Sequence, residues 1–325
     1  MKVAVLDDYQ DVVKSLDCFD VLSGHDVSIF TTEPESQSEL VARLKDAEAL
    51  VLIRERTVID DALLSQLPNL KLISQTGKIS NHLDVAACTK HKVAIAEGRG
   101  SPIAPSELCW SIIMASSRHI APYVNNFQNG VWQSSGDLGI GRSLNGLTLG
   151  IWGYGKIGQR IAKYATAFGM DVLVWGREAS FEKAKQDGHK VAASKAELFT
   201  DSDVLSLQLR LNDDTRNCVT AADLALMKKD AVIVNTSRAE LIEQDALYNA
   251  LVAGAPGFAA VDVYTKEPVN ASNEPLLSLP NVLATPHLGY VEKNGYELYF
   301  QIAFENVVKF AEGTPENIAN EEALS

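Results

Sequence analysis

Three side chains of complementary chemistry stand just past the ends of apolar runs in the C-terminal half of the chain. Arg238 follows Val232-Ile233-Val234-Asn235-Thr236-Ser237, Glu267 follows Ala260-Val261-Asp262-Val263-Tyr264-Thr265-Lys266, and His287 follows Val282-Leu283-Ala284-Thr285-Pro286. Singly, each reads as a surface cation, a turn residue or a packed histidine. Together, at the carboxyl edge where open parallel sheets bind ligands, they suit the reversible reduction of a 2-keto acid. A histidine titrates near neutrality and can give a proton to the carbonyl oxygen, then remove it in the reverse direction, work worth about 10²–10⁴ in rate. A carboxylate beside it favours the imidazolium and fixes the ring tautomer. An arginine can hold the substrate carboxylate and polarise the carbonyl.

Hydride transfer needs a carrier, and the chain has a turn suited to one. Gly153-Tyr154-Gly155-Lys156-Ile157-Gly158 follows the apolar run Leu147–Trp152 and opens a helical run, Gln159–Phe168, with a second strand at Asp171–Trp175. A bare G-x-G-x-x-G also serves simple tight turns, but strand, turn, helix and strand within about thirty residues make a dinucleotide fingerprint. Gly153 permits the turn, Gly155 lets backbone approach a pyrophosphate, and Gly158 lets the helix pack close to the strand. The helix start, at Lys156 and Ile157, offers backbone N–H groups and the positive end of the dipole. Where an acid would accept the ribose 2′-hydroxyl, the second strand ends in Gly176-Arg177-Glu178. Glycine leaves room and a guanidinium grips a 2′-phosphate, which favours NADP(H). In the alternative reading Arg177 is a solvated loop residue and Glu178 serves the ribose of NAD(H).

These residues need a scaffold, and the apolar runs supply it. In the first hundred residues strands are predicted at Val3–Leu6, Val27–Phe30, Ala49–Ile53, Leu70–Ser74 and Val93–Ala96, with helical spacing over Glu39–Lys45 and Asp60–Leu67. A second series runs Thr148–Trp152, Asp171–Trp175, Val204–Leu207, Ala231–Asn235, Phe258–Val263 and Asn281–Ala284. Continuous rather than alternating apolar runs belong to strands buried on both faces, hence to parallel α/β sheets. Long helices are predicted over Ser106–Ile120, with Ser106 as its cap, and over Val291–Glu312, stopped by Gly313-Thr314-Pro315. The last helix follows the end of the second sheet, and a return to the first domain is left open by the residues alone.

The 325 residues suggest two domains, perhaps three by length alone, and 46% apolar against 22% charged residues is globular composition. The net charge, 29 basic minus 42 acidic residues or −13, repels phosphate backbones and anionic lipid, so neither nucleic acid nor membrane is an expected partner. Cys18, Cys88, Cys109 and Cys218 have no metal-ligand spacing and read as reduced thiols; no metal is expected. Met1 leads directly into a strand without the features of a secretory signal, and no apolar stretch approaches the ~20 residues of a membrane span, which together suggest a cytoplasmic protein.

The stretches GLTLGIWGYGKIGQRIA, NTSRAELIEQDAL, AAVDVYTKEP and TPHLGY, in this order and spacing, closely resemble the D-isomer-specific 2-hydroxyacid dehydrogenase family, over nearly the whole chain. The resemblance implies a Rossmann-type NAD(P)-binding domain, 101–291, and a flavodoxin-like substrate domain made from both chain ends, 1–100 and 292–325. It implies His287 as acid/base, Glu267 as its partner, Arg238 as substrate clamp, Asp262 at the nicotinamide carboxamide, and a homodimer formed through the central domain. Arg54, in Leu52-Ile53-Arg54-Glu55-Arg56-Thr57, resembles the segment that reaches substrate, with a surface salt bridge among Arg54, Glu55 and Arg56 as the alternative. Lys78 and Ile79 match a loop whose backbone N–H groups hold the substrate carboxylate. The chain departs from the family at Ala239, where glycine is usual, at Gln208 and Arg210, where His and Pro are frequent, and at Glu97-Gly98-Arg99-Gly100. Arg210 either adds positive charge for a 2′-phosphate or is structural, and Gly176-Arg177 resembles NADPH-preferring glyoxylate and hydroxypyruvate reductases. The implied reaction interconverts a 2-keto acid and a D-2-hydroxy acid. The competing reading is a dinucleotide-sensing binding protein like the corepressors of this fold, against which the chain lacks long polar tails. Phosphoglycerate dehydrogenase would imply a regulatory domain beyond Ser325, and relatives acting on formate carry glutamine in the Glu267 role.

Overall fold

The computed structural model describes residues Met1–Ser325, which form two compact units: Met1–Ser101 with Glu292–Ser325, and Pro102–Val291. The boundary therefore lies one residue after the expected 100/101 division.

The first unit is built on five parallel strands, β1 (Lys2–Val5), β2 (Asp26–Ile29), β3 (Ala49–Leu52), β4 (Leu72–Gln75) and β5 (Ala94–Ala96), in the order β2-β1-β3-β4-β5. This is the flavodoxin-like order. β3 and β4 are buried at every residue, as continuous apolar runs require. Between them lie α1 (Gln37–Leu44), α2 (Asp61–Leu64) and α3 (Val85–Lys90), each with a capping side chain: Ser36 accepts from Glu39 N, Asp60 from Leu63 N and Asp84 from Ala87 N. The C-terminal helix, Lys293–Ala311, packs on β3 and β4. Buried Ser74 donates its hydroxyl to Ala303 O at 2.8 Å, and Phe304 meets Phe19 edge-on at 6.1 Å. Ile318 forms an antiparallel bridge to Ala96, and Asn320 accepts from Ile95 N at 2.7 Å. The chain end is thus joined to the sheet begun by Lys2.

The second unit opens with α4 (Ile103–Ser117) and α5 (Ile120–Gln128) and continues through β6 (Thr148–Trp152), α6 (Lys156–Ala167), β7 (Asp171–Trp175), α7 (Glu178–Gln186) and β8 (Lys190–Val191). After α8 (Lys195–Asp201) come β9 (Val204–Leu207), α9 (Ala221–Leu224), β10 (Val232–Asn235), α10 (Ala246–Ala253), β11 (Phe258–Val261) and β12 (Val282–Ala284). All seven strands are parallel, in the order β12-β11-β10-β9-β6-β7-β8. The direction of winding reverses at β6, the strand that carries the glycine-rich turn. One core includes Cys109, Ile113, Ile151 and Ile161, and another includes Leu205, Phe199, Leu224 and Leu251. These are the layers of a Rossmann-type domain.

Several expected boundaries move. Ser106 caps nothing: it is buried inside α4 and its hydroxyl returns to Ile103 O at 2.7 Å, while Pro102 holds the cap position. Proline lacks an N–H and so suits a helix start. The predicted helix to Ile120 ends at Ser117, because His119 adopts a left-handed φ of 52° before α5 begins. The run to Val263 leaves the strand after Val261: Asp262 N still donates to Asn235 O at 3.0 Å, and the Asp262 side chain turns to the loop at Leu288 and Gly289. The short edge strand β8 was not expected. No helix is long and apolar enough to cross a membrane, and all four cysteines are free.

Candidate active site

Parallel strands deliver their following loops to one edge, and in the second unit those loops carry the expected residues. Gly153 ends β6 with φ +101°, a conformation L side chains rarely adopt, and a Cβ there would overlap the Gln208 carbonyl oxygen. Gly155 caps α6, and the space beside its Cα is open, so backbone can be approached there. At Gly158 a Cβ would collide with Gly153 O and press on Ile151 Cγ2 at 3.3 Å. Lys156 and Ile157 begin α6, where the first N–H groups of a helix point outward without intrahelical partners. A cradle of this shape fits a diphosphate at the helix start.

β7 delivers Gly176 and Arg177 beside this turn. A Cβ at Gly176 would lie 3.0 Å from Ser180 Cβ and Oγ, so the position is tight. Arg177 stands at the cap of α7 without capping it, and its side chain is exposed; Glu178 is the first helical residue. Arg210 is also exposed, beyond the end of β9, with its carbonyl accepting from Thr215 Oγ1 at 2.7 Å. Gln208, its neighbour in the same loop, turns its amide back to Ser206 Oγ at 2.9 Å.

His287 and Glu267 are in contact. His287 Nδ1 lies 2.7 Å from Glu267 Oε2, with each side chain about a quarter exposed. Glu267 is itself held: Tyr264 N donates to its other oxygen at 3.0 Å, and the Tyr264 hydroxyl donates to Thr285 O at 3.0 Å. Opposite a carboxylate, Nδ1 is the nitrogen that carries a proton, and Nε2 is the ring nitrogen turned away from Glu267. Tyr290 meets the imidazole edge-on at 5.3 Å. His287 has a left-handed φ of 53°, unusual for a residue with a side chain. Arg238 stands on the neighbouring strand end, after β10; Asn235 Nδ2 donates to its carbonyl at 2.8 Å, and its Nη1 donates to Ser237 O at 2.6 Å.

The loop that carries His287 is tied down by Asp262. This side chain is wholly buried. Its Oδ1 accepts from Thr285 Oγ1 at 2.6 Å and Leu288 N at 2.7 Å, and its Oδ2 accepts from Gly289 N at 2.9 Å. Burial pushes the Asp262 carboxyl above the ordinary range, while the Thr285 hydroxyl, the Leu288 N–H, the His287 charge and the Gly289 N–H pull it back. With three donors around it, the group serves as a carboxylate. The expected contact to a nicotinamide carboxamide did not anticipate this role. An acid inside an apolar strand run was the available signal, since a buried carboxylate must find donors.

Arg54, Lys78 and Ile79 belong to the first unit. Arg54 lies two residues beyond β3 with a left-handed φ of 57°; its N–H donates to Thr76 Oγ1 at 3.1 Å, its carbonyl accepts from Gln75 Nε2 at 2.6 Å, and its guanidinium lies where a Gly77 side chain would stand. Arg56 points elsewhere, donating to Asp7 O at 2.5 Å and lying 4.6 Å from the Tyr9 ring centre. Lys78 pairs with Glu97, and Ile79 N donates to the other oxygen of Glu97 at 3.0 Å. Burial raises the Glu97 carboxyl, but the Lys78 and Ile79 hydrogen bonds and the Lys78 charge outweigh it and hold the group below its ordinary value. Glu97 was noticed in the sequence only as a departure. Its partners lie eighteen and nineteen residues upstream, and only the adjacency of β4 and β5 brings them together.

Residues 110–289 match the model of the NAD binding domain of the D-isomer specific 2-hydroxyacid dehydrogenases. A glyoxylate reductase of Aeropyrum pernix is 33% identical over 309 residues, 92% of this chain and 91% of that protein. A putative D-3-phosphoglycerate dehydrogenase oxidoreductase of Ralstonia solanacearum, solved by crystallography, superposes with a TM-score of 0.98 at 52% identity, covering 100% of this chain and 98% of that one. A phosphoglycerate oxidoreductase of Vibrio cholerae o395 superposes with a TM-score of 0.95 at 60% identity, covering 96% and 99%.

Replacing Asp262 with Asn removes the charge that binds the Leu288 and Gly289 amides. Hydrogen bonds to a charged group contribute roughly 1.5–3 kcal/mol. Hydrogen exchange at Leu288 and Gly289 in D262N is therefore expected to accelerate about tenfold or more, with amides of β6 unchanged; equal protection in the variant would show that the carboxylate does not hold this loop.

Proposed function

The chain belongs to the D-isomer specific 2-hydroxyacid dehydrogenase family, an oxidoreductase using a nicotinamide dinucleotide, and on that premise we propose that it reduces a small 2-keto acid of the glyoxylate or hydroxypyruvate class to the D-2-hydroxy acid, reversibly. The observation that carries the reading is the 2.7 Å contact between His287 Nδ1 and Glu267 Oε2 at the same sheet edge as the glycine-rich turn. Bound at that turn, the dinucleotide supplies the hydride that reaches C2 of the keto acid, and accepts it in the reverse direction. His287 holds the matching proton on Nε2 and transfers it to the carbonyl oxygen as that oxygen gains charge. Glu267 keeps the ring in the required tautomer and stabilises the imidazolium. Arg238 clamps the substrate carboxylate and polarises the carbonyl. Arg54 and the Lys78–Ile79 loop supply further contacts to the carboxylate.

Gly153, Gly155, Lys156, Ile157 and Gly158 hold the diphosphate, and Asp262 orders the loop next to the nicotinamide carboxamide. At the adenosine end we infer NADP(H) as the preferred form, because Gly176 follows β7 where an acid would stand for NAD(H), and Arg177 and Arg210 put two exposed guanidiniums on the loops after β7 and β9. The names of the Ralstonia and Vibrio proteins support a second substrate reading, a 3-phosphorylated 2-hydroxy acid. We also infer a homodimer through the central domain. α5 has no buried residue, and Val124, Phe127, Val131, Trp132 and Ile140 on and after it are exposed, Ile140 at 91%. The four free cysteines suit a cytoplasmic enzyme.

A panel of glyoxylate, hydroxypyruvate, pyruvate, 3-phosphohydroxypyruvate and bulkier 2-keto acids with NADH and NADPH tests the assignment; no turnover with any, despite dinucleotide binding, would favour the sensor reading. In the same assay H287A is expected to lose at least about a hundredfold in kcat with dinucleotide affinity kept. E267Q is expected to lower kcat about tenfold or more, because the amide no longer fixes the ring tautomer as the carboxylate does. R177A is expected to weaken NADPH binding roughly tenfold or more and leave NADH nearly unchanged; equal loss of both would overturn the 2′-phosphate role. Sedimentation equilibrium is expected to give twice the chain mass, and the substitution of Phe127 and Trp132 by Ser to shift it toward one.

A further inference from the structure

The carboxyl edge of the first sheet holds an internal carboxylate between an ammonium and a backbone N–H. Glu97 is the first residue after β5, and its side chain reaches back across the end of β4, where Oε1 accepts from Ile79 N at 3.0 Å and Oε2 pairs with the Lys78 ammonium. The guanidinium of Arg54 lies against Gly77, one residue away. The arrangement is rigidly built. Glu97 N donates to Asn317 O at 2.9 Å, and Gly98 N donates to Gly77 O at 2.9 Å. Gly98 fits so closely over β4 that a Cβ there would stand 2.6 Å from Gln75 O. An ammonium, a guanidinium and an outward N–H at a sheet edge form a site for an anion, and here the anion is part of the chain.

We propose that Glu97 determines substrate affinity: its carboxylate is an internal competitor for the Lys78–Ile79 loop, and a substrate's carboxylate binds there only by displacing it. The identification of the anion as a 2-keto acid rests on the function proposed above. Competition of this kind lowers apparent affinity in proportion to the fraction of loops that Glu97 occupies, and it shifts the burden of recognition to the substrate's side chain. Two carboxylates cannot share one N–H, and a second negative charge beside Glu97 is repelled.

The test uses the full chain loaded with cofactor, wild type against E97Q and E97A, with oxamate (a 2-keto acid isostere that cannot be reduced) as binding probe. Thermal melting establishes that each variant folds; E97Q keeps the volume and removes the charge, so it serves if E97A does not fold. The expected result is that oxamate binds about tenfold more tightly or better, a change of roughly 1.4 kcal/mol. KM for 2-keto acids falls in parallel, kcat moves less than about threefold, and cofactor affinity is unchanged. Weaker or equal oxamate binding in the variants would mean that Glu97 merely supports the loop, and overturns the proposal. Tightened oxamate binding in an enzyme inert toward every 2-keto acid would sustain the role of Glu97 while defeating the proposed function. Turnover with unaltered oxamate affinity would do the reverse.

Discussion

A wholly buried carboxylate at the end of β11 sets the geometry around His287. Asp262 gathers a hydroxyl and two backbone N–H groups from residues 285–289, and this fixes a loop whose histidine adopts a left-handed backbone conformation. Burying a carboxylate is costly unless donors surround it. Here the donors all come from the segment that must be positioned, so the requirement for satisfaction becomes a requirement for one loop shape. Glu267 adds the second tie, to Nδ1 of the ring. It is anchored in turn by the Tyr264 N–H, so each polar group is oriented by another that has no freedom of its own. Orientation by a surrounding shell of this kind is what separates an acid–base pair from two adjacent side chains.

Both units answer the same constraint with the same solution. Parallel strands buried on two faces leave their carboxyl ends as the edge where backbone polar groups remain available. In the second unit that edge carries an open cradle at Gly155 and a helix start. In the first it carries Arg54, Lys78 and Glu97, and every one of these lies in the first few residues after a strand. The dissimilar chemistry of the two edges comes from loops, while the sheets beneath them follow common rules.

The fold was legible where local pattern determines it. The strands Thr148–Trp152, Asp171–Trp175 and Val204–Leu207 were located to the residue, because continuous apolar runs ended by glycine or polar residues admit few alternatives. The three glycines of the turn read correctly as to geometry for the same reason, since φ, open space and close packing are properties of single positions. Contacts that cross the chain were not legible. Ser106 looked like a cap because it follows Pro105, whereas the helix starts at the earlier of the two prolines, Pro102, and the break at His119 depends on a backbone conformation that its sequence does not announce. Asp262 and Glu97 were visible as residues but not as parts. The donors of the first lie 23 to 27 residues away, and those of the second come from the loop after an adjacent strand.

The first unit is closed by residues that are synthesised after the whole of the second. Its sheet begins at Lys2, yet the helix that covers β3 and β4 starts at Lys293, and Asn320 satisfies the Ile95 N–H only after that. On a ribosome the N-terminal strands therefore emerge long before their covering layer, with the apolar face that Phe304 and Ala303 will bury open to water or to chaperones. The intervening unit, 102–291, is contiguous and can complete its own core first. Vectorial production thus lets residues 102–291 mature before the unit made from Met1–Ser101 and Glu292–Ser325 can close.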